Sequence, residues 1–217
     1  VFVLPDYLYG RVKSTVNYNI NLTGLSTNDI STIVISAINA FNSTNLDNFK
    51  TTLYYSRLIE AIDASDNSII SNETVVDMFK KINPSLGVGQ NITVNFNMAL
   101  DNTIPPIPQV HGEIQQHAIQ SSYFSYNNRN VAIEDDSLGN LRLVTPYGNQ
   151  HKTLYNIGTV DYNTGLVQIN NLIVNSYLGD SIRIFAKPRY LDFSSSTNTI
   201  LSIASDEIFI TANAVRV

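Results

Sequence analysis

His111, Glu113 and His117 are the residues of this chain whose types best suit a divalent metal, since imidazole and carboxylate groups are common ligands for zinc and its neighbours. They flank a run that carries Pro105, Pro106 and Pro108, no helical spacing brings them onto one face, and no fourth ligand stands nearby. We therefore read no metal site. Glu134-Asp135-Asp136 offers paired carboxylates of the kind that hydrolyse glycosidic bonds. Consecutive strand residues point to opposite faces, however, and Gly139-Asn140 follows closely, so the triplet reads as a solvated acidic turn. Asp206-Glu207, ahead of an apolar run, reads the same way. No Gly-x-Ser-x-Gly turn frames a serine, and no histidine has an evident nucleophilic partner. Gly87-Val88-Gly89 lacks the third glycine and the following helix of a phosphate cradle, and reads as a turn. The chain has no cysteine, which excludes thiol nucleophiles, thiolate metal sites and disulfides. The expectation is a protein that is not an enzyme and uses neither cofactor nor metal.

Composition points the same way. Charged residues make up 14% of the 217 residues, well below the roughly 25% of an ordinary soluble domain, with Asn, Ser and Thr in their place. A neutral polar surface lacks the charge that keeps molecules apart, which suits burial in a larger assembly. A formal net charge of -5 argues against a grip on nucleic acid, and the nearest basic cluster is the pair Lys80-Lys81. No run approaches the roughly 18 apolar residues of a membrane helix, so the expectation is a soluble protein with no membrane partner. The chain opens on Val1 with no signal-peptide pattern, as a cut fragment would, and the absence of cysteine fits folding in reducing cytoplasm.

The elements that must carry these residues follow from periodicity. Val12 to Leu22 alternates, with Val12, Val16, Tyr18, Ile20 and Leu22 on one face and Lys13, Thr15, Asn17, Asn19 and Asn21 on the other, which predicts a strand. Gly24 breaks it, and Ser26 with Asp29 resembles a capping box. Ile30, Ile33, Val34, Ala37, Ile38 and Phe41 then form one helical stripe that should end over Asn42 to Asn45. A second helix is expected from Leu46 or Asp47, carrying Phe49, Leu53, Tyr54, Leu58, Ala61 and Ile62. Ile69 to Ile82 and Ile92 to Leu100 read as further strands joined through Pro84, Gly87 and Gly89. This order predicts an α+β fold, an antiparallel sheet covered by a helix pair, followed by a mostly β second domain. The expected divisions are 1–100 for the α+β domain, 101–118 for a Pro-rich linker or arm, and 119–217 for the β domain. In that last part we expect short strands over Ser122 to Tyr126, Val131 to Glu134, Leu141 to Thr145, Ser181 to Lys187 and Ile208 to Ala212. Leu154 to Val174 alternates as strands do, with a hairpin over Ile157 to Ile169, and Pro146-Tyr147-Gly148-Asn149 marks a turn.

The alternating first strand is followed by helices containing Tyr54-Tyr55-Ser56-Arg57-Leu58-Ile59-Glu60-Ala61-Ile62 and a strand ending Lys80-Lys81-Ile82-Asn83-Pro84. Over about the first hundred residues this run resembles the baseplate wedge proteins of contractile-tailed bacteriophages, the J-like baseplate family. Where that family often has a Gly-Val turn after the second helix, this chain has Asp66-Asn67-Ser68. Ile157 to Ile169, turning at Asn163-Thr164-Gly165, is similar to a hairpin in the later part of such proteins.

The resemblance implies the C-terminal fragment of a structural wedge component. Such a protein is made late, assembled in the host cytoplasm and carried in the virion's tail baseplate. It would form a homodimer and join other wedge proteins into a ring around the tail hub. Tyr is favoured where a ring is half buried and half wet. The expected contact elements are the helical pair, through Phe49, Tyr54, Tyr55 and Arg57, and the arm, through Pro105, Pro106 and Pro108. The alternative reading is a carbohydrate- or receptor-binding β domain of a tail or surface protein, which would share the Asn, Thr and Tyr richness.

Overall fold

The structure, a computed structural model, describes residues 5–102, 117–148 and 150–216. The Pro-rich segment with Pro105, Pro106 and Pro108, and with it His111 and Glu113, lies outside the described residues. In chain order the first elements are β1 (Asp6–Asn19), α1 (Thr27–Asn45), β2 (Asn48–Phe49), β3 (Thr52–Leu53), α2 (Tyr55–Asp63), β4 (Ile69–Ile82) and β5 (Gln90–Asn95). There follow β6 (Ile119–Ser121), β7 (Phe124–Tyr126), β8 (Arg129–Asp135), β9 (Asn140–Tyr147), β10 (Gln150–Asp161) and β11 (Leu166–Leu172). The last are β12 (Ser176–Tyr177), β13 (Ile182–Ala186), β14 (Phe193–Ser194) and β15 (Thr199–Val215). Two compact units result, one from the described residues through Asp77 together with those from Leu191, the other from Met78–Tyr190. This division differs from 1–100 and 119–217 because the last strand returns to pair with the first.

In the first unit β1 and β15 run parallel, from Asp6 opposite Thr199 to Asn19 opposite Val215, with a register shift between Gly10 and Val12. The other neighbour of β1 is β4. Their side chains show opposite directions: as the partner rises from Arg11 through Ser14 to Asn17, it falls from Asp77 through Thr74 to Ser71. The sheet is therefore mixed, and the antiparallel expectation is corrected. Alternation alone is the same for both directions; the C-terminal strand decides it. Leu8, Val12, Val16 and Tyr18 are buried as the period of two requires, whereas Ile20 and Leu22 lie past the strand end and are exposed.

The helix α1 packs on β15 and buries Ile30, Val34, Ile38 and Phe41. Its start is fixed by the capping box: the Asp29 N–H donates to Ser26 Oγ at 3.2 Å and the Ser26 N–H donates to Asp29 Oδ2 at 2.9 Å. The two hydrogen bonds from Ser26 hold the Asp29 carboxyl below its ordinary pKa. Ser26→Ala should cost about 1 kcal/mol, read as a lower urea midpoint at unchanged slope.

The stretch after α1 corrects the second helix. Asp47 and Lys50 have φ of 60° and 55°, left-handed values that no helix continues through. The chain instead forms β2, which pairs with β15, and β3, which pairs with β14. Only Tyr55–Asp63 is helical, burying Leu58 and Ile62. The stripe over Phe49 and Leu53 is thus a strand-and-turn pattern that coincides with helical spacing.

In the second unit the end of β4 pairs with β13, followed by β6, β8, β9, β10, β11 and β5, and β7 bridges β8 and β12. All of these strand pairings are antiparallel. The β10–β11 hairpin turns through Gly165 at φ 73°, and Gly158 sits where β11 leaves no room for a side chain. Asn97, at φ 57°, ends the strand expected to reach Leu100, although Phe96 and Leu100 are still buried.

Candidate functional site

Two places concentrate the side chains singled out by type. The first is a surface on the first unit. Tyr54 precedes α2, is 44% exposed, and carries the Arg57 guanidinium 4.8 Å from its ring centroid. One turn of helix brings them together, and the cation over the ring holds both in a fixed pose. Beside them lies a pocket of about 260 Å³ lined by Phe41, Asn45, Lys50, Thr51 and Thr52 as well as Tyr54 and Arg57. Phe49, on β2, is also exposed. Tyr55 is different: its hydroxyl donates to the Thr74 carbonyl at 2.6 Å and its N–H donates to Asp192 Oδ1 at 2.8 Å. Burial, helped by the Glu73 charge, pushes its pKa up. Tyr55 ties α2 to β4 and to the loop before β14, while Tyr54 and Arg57 face solvent.

The second place is the acidic triplet, where the solvated-turn reading is corrected. Glu134 and Asp135 end β8 with side chains 4% and 0% exposed. From Val131 to Asp135 every residue of β8 is buried, so opposite-pointing neighbours are both interior. Glu134 Oε2 accepts from His151 Nδ1 at 2.8 Å, lies 3.1 Å from His117 Nε2 without hydrogen-bond geometry, and Oε1 accepts from Arg142 Nη2 at 3.4 Å. Asp135 accepts from the Ile119 N–H at 2.9 Å and the Tyr162 hydroxyl at 2.7 Å. Burial raises the Glu134 carboxyl, but its short contacts to His117 and His151 outweigh that and hold its pKa below the ordinary value. An ionised carboxylate only accepts, so Nδ1 of His151 carries a proton, leaving Nε2, 2.9 Å from the Tyr123 hydroxyl, as acceptor in the neutral ring. Burial, then the Glu134 charge, raises Tyr123; burial, then the Asp135 bond, raises Tyr162. Both phenols therefore keep their protons, Tyr123 facing His151 Nε2 and Tyr162 donating to Asp135.

Asp136 instead ties its own loop, accepting from the Leu138 and Asn140 N–H groups at 2.8 and 2.9 Å. Glu207 is buried too, whereas Asp206 is exposed. Among the described residues no group of three or more His, Cys, Asp or Glu is arranged to hold a metal ion. His117 sits within the Glu134 cluster, so its sequence neighbours did not reveal its partners. The signal that could have found the cluster is the period of two: Val131 and Ile133 share a face with Asp135, and Ala132 shares the other with Glu134.

The first unit thus pairs a mixed sheet, with α1 packed on β15, with an exposed aromatic–arginine pair at the start of α2. Residues 6–81, about a third of the chain, match the family described as baseplate structural protein gp6, C-terminal domain III. The match runs from the start of β1 almost to the end of β4, within the first hundred or so residues that resemble phage baseplate wedge proteins. Over that segment the chain resembles a structural component of a virion tail baseplate. No curated protein matches the chain.

Proposed function

We propose that this chain is part of a wedge component of a contractile phage tail baseplate, self-associating and joining neighbouring wedges into a ring around the tail hub. The observation that carries the reading is the match of residues 6–81 to a baseplate structural domain. The low charge and the solvent-facing apolar side chains of the first unit support it, since an obligate interface of this kind buries about 2,000 Å² or more. The contact elements are Phe49, Tyr54, Tyr55 and Arg57, together with Pro105, Pro106 and Pro108 of the Pro-rich segment. Tyr54 and Arg57 form the outward part and Tyr55 anchors it from behind.

Sedimentation across a concentration series tests this. The wild type should shift from monomer towards dimer, and Tyr54→Glu with Arg57→Glu should weaken that association by at least about thirtyfold, about 2 kcal/mol for an aromatic and arginine hot spot. An unchanged sedimentation profile in the double variant removes these residues from the interface. Tyr55 is left intact because its internal bonds would confuse loss of contact with loss of fold.

A further inference from the structure

Among the described residues, no strand pairs with the outer edge of β15 beyond Leu201, and the Ile203 N–H donates to Asn42 Oδ1. On the side away from β1 the sheet order places only β2, which pairs with Ile200 and Leu201. From Ile208 to Val215 the strand keeps its pairing with β1, and no other described strand lies on its far side. Such an edge presents a row of backbone N–H and C=O groups that another extended backbone satisfies, and folded proteins ordinarily shield it with charge, proline or a bulge. The run Ile208-Phe209-Ile210-Thr211-Ala212-Asn213-Ala214-Val215 contains no charged residue, no proline and no glycine. Phe209 is 51% exposed within it.

We propose that this edge is a strand-addition site and that its occupant is β15 of a second copy, running antiparallel about a two-fold axis at Thr211. The proposal deepens the self-association reading and rests on it. Charge complementarity selects the occupant and the direction. The uncharged run is bounded by Asp206-Glu207 on one side and Arg216 on the other. Antiparallel pairing centred on Thr211 sets Phe209 opposite Asn213 and Ile210 opposite Ala212, and brings Arg216 of each copy, one residue past its strand, to the end where the other copy carries the acidic bulge with Asp206-Glu207, twice by symmetry. A parallel pairing in register would set acid against acid and Arg216 against Arg216. The backbone groups supply the bonds, and the two Phe209 rings gain cover.

The chain has no cysteine, so a single Thr211→Cys reports the contact without background. Residues directly opposite in an antiparallel pair have Cβ atoms about 5 Å apart, close enough for a disulfide after small adjustment. Under mild oxidation Thr211→Cys should form a cross-linked dimer at least tenfold faster than Thr32→Cys, an exposed control on α1. Thr211→Lys should weaken dimerisation at least tenfold while the melting midpoint of the dilute monomer stays unchanged, and mixing it with Thr211→Glu should restore the dimer. Cross-linking no faster than the control, or a Thr211→Lys dimer as tight as wild type, overturns the proposal. If the wild type is a dimer, Thr211→Cys cross-links no faster than Thr32→Cys and Thr211→Lys dimerises as tightly as the wild type, the edge fails while self-association stands. If the wild type stays monomeric throughout the series and Thr211→Cys does not cross-link, both readings fall.

Discussion

Glu134→Ala should destabilise the second unit by about 3 kcal/mol, the lower end of what breaking a buried ion pair costs. The lower end applies because the Arg142 side chain, 28% exposed, retains some solvent. What remains is a cavity facing two imidazoles and a guanidinium whose anchor is gone. The same carboxylate sets the response to acid. Its folded pKa lies below its ordinary value of about 4.5, so the stability it contributes is fully present above that value and is lost as pH falls through the folded pKa. Wild-type urea midpoints measured from pH 6 downward should therefore fall once the pH passes below about 4.5. In Glu134→Gln the part of that decline due to this group should disappear, while stability near pH 6 is lower throughout. An acid limb as steep in Glu134→Gln as in the wild type would show that another carboxyl governs it.

Gly158→Ala should be comparably costly. The added Cβ would collide with the Gln168 carbonyl oxygen across the β10–β11 ladder, and the obstacle is backbone, which cannot rotate aside. We expect a loss of about 3 kcal/mol, the upper end for overpacking, together with early hydrogen exchange of the hairpin amides. Gly24→Ala is the matched control: nothing stands within 4 Å of its Cβ, and the change should stay within about 0.5 kcal/mol. Equal effects at the two positions would show that chain entropy, not the collision, dominates.

Much of the first unit was legible because its signals are local. The Ser26–Asp29 box, the stripe from Ile30 to Phe41, the alternation of β1 and the β-formers of β4 each depend on residues within one element, and each stands in the structure. The second helix misled because Phe49, Leu53, Leu58 and Ile62 satisfy helical spacing while Asp47 and Lys50 take left-handed backbone, which residue type alone does not announce. The hairpin turn at Asn163-Thr164-Gly165 was visible for the opposite reason, since Gly165 marks its positive φ directly.

By itself, then, the amino-acid sequence determined the capped helix, the long strands β1 and β4, the β character of the second half and the lack of thiol chemistry. Only the tertiary structure decided that β15 returns parallel to β1, that Glu134 and Asp135 are interior groups, and that Tyr55 points inward while Tyr54 points out. The reason is sequence distance. Strand direction and the burial of a carboxylate depend on partners that lie far along the chain, His151 for Glu134 and Thr199 to Val215 for β1, and periodicity within an element carries no information about which distant segment will cover it.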